Sequence, residues 1–135
     1  CLYSSYKPCT GPVVAEIGGL HFGSVGVTSE AAGNSGIKTI SGKATKLTKA
    51  RYFPGAKPLT MKLIFDAFSK KLIGAQMISE ISVSDRVNEM AVAIHAGLSA
   101  EDLINTERCF DPSLSLLVDV AVDAAQDALG IKSVY

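Results

Sequence analysis

The sequence lacks the short motifs that mark the commonest nucleotide-binding, metalloprotease and serine-hydrolase sites. It contains no GxGxxG, no GxxxxGKS or GxxxxGKT and no HExxH, and no serine is flanked as in GxSxG. It also contains no run of about 18 apolar residues, which is the length that a membrane-spanning helix needs. The commonest nucleotide-binding motifs are therefore absent, and we expect no membrane partner.

Cysteine and histidine, which often bind transition metals, are scarce. The three cysteines, Cys1, Cys9 and Cys109, form no CxxC pair, and neither His21 nor His95 lies at metal-ligand spacing from a cysteine. We therefore predict no metal site. An odd number of cysteines is more typical of a reducing compartment than of a disulfide framework, which favours a cytoplasmic protein. A chain that begins at Cys1 rather than Met suggests a truncated or processed fragment.

Charged residues are also few, at 19% of the chain, whereas hydrophobic residues reach 47%. For a small domain this balance predicts either an apolar surface that meets a partner or an unusually rich core. The charge is unevenly divided: residues 1–75 hold ten Lys or Arg and three acids, whereas residues 76–135 hold three and ten. This asymmetry favours self-association.

No acid interrupts residues 38–62, which contain seven basic residues. Such a stretch can be a nucleic-acid-binding patch, or a basic face that an acidic half or a second subunit balances. We favour the second interpretation and expect no nucleic-acid partner, because aromatic residues are sparse there and the overall pI is near neutral.

The length predicts a single domain over residues 1–135, with an irregular lead-in over residues 1–12. Strand signals follow. Residues 13–22 predict one strand weakened by two glycines, and residues 37–53 predict one or two strands with Gly42 as a break.

The clearest strand signal is a hairpin. In "TMKLIFD", Met61, Leu63 and Phe65 alternate with more polar positions, and Ile64 falls on the wetter face. After the turn "AFSKK", residues 72–78 form the return strand.

Three helices are predicted from their ends. Thr28 or Ser29 caps a short helix, Ser84 begins a longer helix that Gly97 ends, and Ser99 begins a third with a capping box.

A fourth helix is predicted to begin near Pro112, with Leu114 and Leu117 in its apolar stripe. Acids at i, i+4 and i+8 lie opposite: Asp119, Asp123 and Asp127. Three acids at this spacing can suggest a metal site, but we favour a solvated face because such repulsion is mild in water. The combined patterns predict an α+β fold, an antiparallel sheet with helices packed on one side.

The order of these segments resembles that of a known domain. "VGVTSEAA" at 25–32, "RYFPGAKPLTMKLIFD" at 51–66, "KLIGAQ" at 71–76 and "AIHAGLSAEDL" at 93–103 follow one another as in one family. That family is the C-terminal dimerisation domain of the FAD-dependent pyridine nucleotide-disulfide oxidoreductases. The likeness covers about residues 23–130 and is closest to the branch of NADH oxidases and coenzyme A disulfide reductases.

The resemblance implies a fold of the FAD/NAD-linked reductase dimerisation-domain type, whose sheet and helices form the two-fold interface of a homodimer. FAD and NAD(P)H are expected in the parent protein, in domains that precede this one and are absent from this chain. The partners would be a second copy and those FAD and NAD(P) domains, and the domain alone would be inactive. The alternative is a stand-alone, non-enzymatic homodimeric module that kept the fold and lost the flavoprotein.

The resemblance also makes Cys109, Phe110 and Asp111 candidate contacts with the partner subunit's site. In one branch of the family, the last helix follows His-Pro-Thr-x-x-Glu, and this His is the acid/base for the partner's dithiol. Here Asp111 stands in place of the His and Leu116 in place of the Glu, so that chemistry is not expected. Phe110 stands where coenzyme A disulfide reductases carry a Tyr. We favour a buried, inert Cys109 over a thiol beside the partner's flavin.

Overall fold

A five-stranded antiparallel sheet organises the chain in the computed structural model, which describes residues 9–132. Along the chain the elements are β1 (Val13–Ile17), β2 (Leu20–Gly26), α1 (Ser29–Asn34), β3 (Thr39–Leu47), β4 (Pro58–Asp66), β5 (Leu72–Ser79), α2 (Ser84–Ala96), α3 (Ala100–Asn105) and α4 (Val120–Ala128). Across the sheet the strand order is β1-β2-β5-β4-β3. Cys1 and most of the predicted lead-in lie outside the described residues.

The prediction of a single strand over residues 13–22 is wrong, because this segment turns back on itself. Gly18 and Gly19 adopt φ values of +61° and +80° and form the two-residue turn between β1 and β2. A tight antiparallel hairpin needs this left-handed backbone, which glycine adopts without steric cost. The two glycines therefore connect two strands.

Gly42 lies inside β3 and does not break it. A Cβ atom at this position would collide with the backbone of Ala124 and Ala128 in α4. The absence of a side chain lets α4 lie directly against β3. This glycine therefore reflects helix packing and not the end of a strand.

The predicted hairpin is confirmed as the central pair of strands, β4 and β5. Met61, Leu63 and Phe65 are fully buried in the core. Ile64 is fully buried as well, although the alternation placed it on the wetter face. Ile64 lies at the end of the sheet where β2 leads into α1, and Ala32 of α1 is also buried there. At this end, both faces of β4 are covered.

The helices α2, α3 and α4 pack on one face of the sheet, which confirms the predicted α+β class. α2 ends at Gly97 in the left-handed conformation, and Ser99 and Asp102 form the predicted capping box of α3. The helices contribute these buried side chains: Val87, Met90, Ala93, Leu103, Ala121 and Ala124. No helix within residues 9–132 has the length and apolar character needed to cross a membrane.

The last helix begins at Val120, so the prediction of a start near Pro112 is wrong. Asp119 caps α4 by accepting a hydrogen bond from the Ala121 N–H at 2.9 Å. Leu114 and Leu117, predicted to lie in the apolar stripe, are 78% and 76% exposed. The chain between α3 and α4 is therefore irregular up to this cap.

Candidate functional site

Residues 109–118, called here the 109–118 segment, bring the three predicted site residues together on this irregular stretch. The Asp111 carboxylate accepts hydrogen bonds from the Ser113 N–H at 2.8 Å and from the Ser113 hydroxyl. The Ser115 N–H donates to the Asp111 carbonyl at 2.8 Å. Asp111 therefore caps one turn that the i,i+4 bond from Ser115 closes, and this turn is not continued into a helix.

Asp111 is exposed, and its pKa is lowered. The cause is hydrogen bonding of its carboxylate by the hydroxyl and then by the backbone N–H of Ser113, which stabilises the charged form. Asp111 is therefore ionised at neutral pH and is a poor proton donor. The structure thus supports the view that this position cannot replace a histidine acid.

Four charged residues fix both ends of the 109–118 segment to α2, and we call them the arginine–carboxylate network: Arg86, Glu89, Arg108 and Asp119. Arg86 binds Asp119 at 2.6 Å and Glu89 at 3.2 Å, and Arg108 binds Glu89 at 3.3 Å. Arg108 precedes the segment and Asp119 follows it. Sequence reasoning missed the network, because only Arg86 and Glu89 show a recognisable i,i+3 spacing and the other partners are distant in sequence.

The network compensates for the partial burial of the Arg86 guanidinium. Burial by itself lowers the pKa of the guanidinium, but the charges and hydrogen bonds of Asp119 and Glu89 outweigh this effect, so the pKa is raised. Asp119 is itself buried. The same carboxylate therefore neutralises Arg86 and caps α4, which sets where the segment ends.

The 109–118 segment presents large apolar side chains to solvent. Phe110 is 52% exposed, and Leu114 and Leu117 are exposed further. Cys109 is exposed too, so the prediction of a buried cysteine is wrong. Beside it, a groove of about 310 Å³ is lined by Cys109, Arg86 and other members of the network. Exposed apolar residues on a fixed segment are typical of a surface that meets a partner.

The prediction of a solvated acidic stripe on α4 is wrong for Asp119, which is buried, and for Asp123, which is largely covered, whereas Asp127 is exposed. Lys46 pairs with Asp123 at 2.8 Å, and the backbone N–H of Lys43 donates to Asp127 at 2.8 Å. These contacts hold α4 against β3. The Lys46 pair also neutralises one of the seven basic residues in 38–62. Within residues 9–132, no three His, Cys, Asp or Glu side chains are grouped so that they could hold a metal ion.

Comparison of the sequence with known families gives one match that covers most of the chain. Residues 16–121 match the family described as pyridine nucleotide-disulphide oxidoreductase, dimerisation domain. An NADH oxidase of Methanocaldococcus jannaschii is 36% identical over 126 residues, which are 93% of this chain and 28% of that protein.

Two solved structures show the same fold. Reduced Bacillus anthracis CoADR-RHD is 29% identical with a TM-score of 0.87, over 95% of this chain and 23% of that chain. A NAD-dependent persulfide reductase from A. fulgidus also gives a TM-score of 0.87, at 24% identity, over 94% of this chain and 24% of its own. The chain thus spans about a quarter of the length of the relatives that it matches.

Proposed function

Because the chain belongs to the family of pyridine nucleotide-disulphide oxidoreductase dimerisation domains, we propose that it serves a longer flavoprotein of the NADH oxidase or coenzyme A disulfide reductase type. That protein would be a cytoplasmic, FAD-dependent NAD(P)H oxidoreductase. Its FAD and NAD(P) domains would correspond to the three quarters of the relatives that this chain does not match. The present domain would hold no cofactor and would be inactive alone.

In this proposal, the domain forms a homodimer and the 109–118 segment contacts the partner protomer near its flavin. The observation that carries the proposal is the exposure of Phe110, Leu114 and Leu117 on a segment that ion pairs hold at both ends. A fixed apolar segment loses little conformational entropy on binding, which favours a specific contact.

The segment's own side chains define what it can contribute there. Phe110 can cover an apolar surface and exclude water, but it has no hydroxyl to donate a proton. Asp111 adds a negative charge that persists at neutral pH because Ser113 lowers its pKa. The bound flavin would supply the electron transfer. The segment would therefore shape the partner's site without acting as the acid of a dithiol reaction.

The proposal is tested on the native polypeptide purified from its source. We expect a mass several times the 14.1 kDa of this chain, flavin absorbance, and a dimer in sedimentation equilibrium. The double variant Leu114→Asp and Leu117→Asp should raise the dimer dissociation constant at least ~100-fold, because each buried apolar anchor contributes about 2 kcal/mol.

The matched control is Phe68→Asp, because Phe68 is similarly exposed but lies in the turn between β4 and β5. This variant should leave the dimer intact. Unchanged dimerisation of the double leucine variant would overturn the assigned role of the segment. A native polypeptide of about this chain's own mass, without flavin, would instead establish the alternative, a non-enzymatic interaction module.

A further inference from the structure

α1 covers the sheet face opposite α2, α3 and α4 only at the end that holds Ile64. Within residues 9–132 no helix covers the rest of this face, and we call that part the helix-free face. A Cβ on Gly23 would meet Val83 and Val87 of α2, so the neighbouring Phe22 points the other way. Met61 and Leu63 are in the core, so Lys62 between them also points to the helix-free face. A shallow depression of about 480 Å³ lies here.

One half of the helix-free face is apolar. Val13 of β1 is 62% exposed, Ile17 is 68% exposed, and Phe22 and Ile78 lie on the adjoining strands. Among the described strands, β1 is an edge strand that pairs with β2 alone. Exposed apolar edge strands pair or aggregate unless something covers them, so this half indicates a covered surface.

The other half is basic. Lys43 and Lys62 are directly opposite each other across β3 and β4. Like charges in this position destabilise a sheet unless an anionic group lies nearby. Among the ion pairs of residues 9–132, none includes either ammonium group. Glu80, two residues beyond Ile78, is already paired with Lys57 at 2.6 Å.

A second copy of this chain fits the helix-free face poorly. A two-fold interface uses the same patch twice, so it must carry both signs of charge to be self-complementary. Here it would bury the Lys43 and Lys62 ammonium groups of both copies without carboxylates, and uncompensated buried charge is costly. Contact with the acidic side of another copy is heterologous and does not close into a dimer.

We propose that the helix-free face docks the FAD- and NAD(P)-binding part of the same longer polypeptide. That part would present apolar side chains over Phe22 and Val13 and carboxylates over Lys43 and Lys62. Three quarters of the relatives' length lies outside the matched region, and covalent linkage gives such a part a high effective concentration. The 109–118 segment, anchored on the helix side, stays free for the partner protomer. The inference rests on the proposed function.

The test is amine labelling of lysines in the native polypeptide, with each site located by mass spectrometry. Lys43 and Lys62 should label at least ~10-fold more slowly in the folded protein than after unfolding, since carboxylates at the rim of the contact would pair with them and restrict access. Lys71, exposed beside the turn between β4 and β5, should show no such protection. The protection should be independent of protein concentration, because the contact is intramolecular.

Paired charge reversals complete the test. Lys62→Glu should restore rapid labelling of Lys43, whereas Lys71→Glu should not. In a long, flavin-containing polypeptide, fast labelling of Lys43 and Lys62 would overturn this inference while the proposed function stands. Protection that disappears on dilution would also overturn it and assign the face to a second copy. A short polypeptide without flavin would overturn the proposed function itself, and the inference with it.

Discussion

At the scale of single residues, Asp111 gives the 109–118 segment a charge that its immediate neighbours control. The Ser113 hydroxyl and N–H hydrogen-bond the carboxylate and lower its pKa in the folded state. A carboxyl group with a lowered folded pKa stabilises the fold above its unfolded pKa, and this contribution is lost as the pH falls through the folded pKa. The charge on the segment is therefore secure across the neutral range.

Replacing Ser113 by Ala should raise the pKa of Asp111 towards that of a free aspartate. The variant removes the hydroxyl hydrogen bond, which is the larger of the two causes of the shift. Carboxyl-carbon NMR titration of Asp111 measures the change. The matched control is Ser115→Ala, because the Ser115 hydroxyl bonds the backbone N–H of Asp111 and not its carboxylate. An equal rise in both variants would contradict this assignment.

The sequence could indicate these residues only through the family resemblance. No motif around Cys109 or Asp111 identifies a site by itself, and the exposure of Cys109 was predicted wrongly. Its exposure depends on Arg108 and Asp119, which bind residues on α2 that are far away in sequence. Contacts of this kind have no local pattern, so they could not be predicted from a single sequence.

At the scale of elements, motifs formed by residues close in sequence predicted the structure correctly. Patterns that fit more than one structure did not. The capping box of α3 and the alternation in β4 were predicted, because all the atoms involved are close in sequence. The start of α4 was predicted wrongly, because the turn that Asp111 begins at the predicted place is not continued and α4 starts at Val120. The glycine pair of the first hairpin was recognised but interpreted as a weakness rather than as a turn.

Asp119 should have a large effect on stability because it both caps α4 and pairs with Arg86. Asp119→Asn keeps a capping oxygen but removes the charge. It should lower the free energy of unfolding, measured with urea, by about 2–3 kcal/mol. This is less than the ~3–5 kcal/mol typical of a broken buried pair, because Glu89 still binds Arg86. Asp119→Ala should cost about 1 kcal/mol more, the contribution of the cap.

The control for this comparison is the double variant Arg86→Met with Asp119→Asn. It removes the unpaired charge and should recover part of the stability that Asp119→Asn loses. If the single and double variants are equally unstable, the loss in Asp119→Asn does not come from an unpaired Arg86, and the role assigned to this ion pair is wrong.

At the scale of the whole molecule, the two sides of the sheet differ in their chemistry. The helix side presents the apolar 109–118 segment between ion pairs that already satisfy one another. The helix-free face presents Lys43 and Lys62, which form no ion pair within residues 9–132, beside an apolar edge. Such a division suits a domain that meets two different surfaces, one in a partner protomer and one in its own polypeptide.

Salt should separate these two contacts in the native protein. At ~1 M salt the screening length falls to about 3 Å, so attraction between Lys43 or Lys62 and carboxylates at a rim weakens, whereas apolar contacts persist. Raising the salt concentration should therefore accelerate labelling of Lys43 while the dimer dissociation constant measured by sedimentation stays the same or falls. If dimer dissociation and Lys43 labelling instead rose together, one charged surface would serve both contacts, and the division into two sides would be wrong.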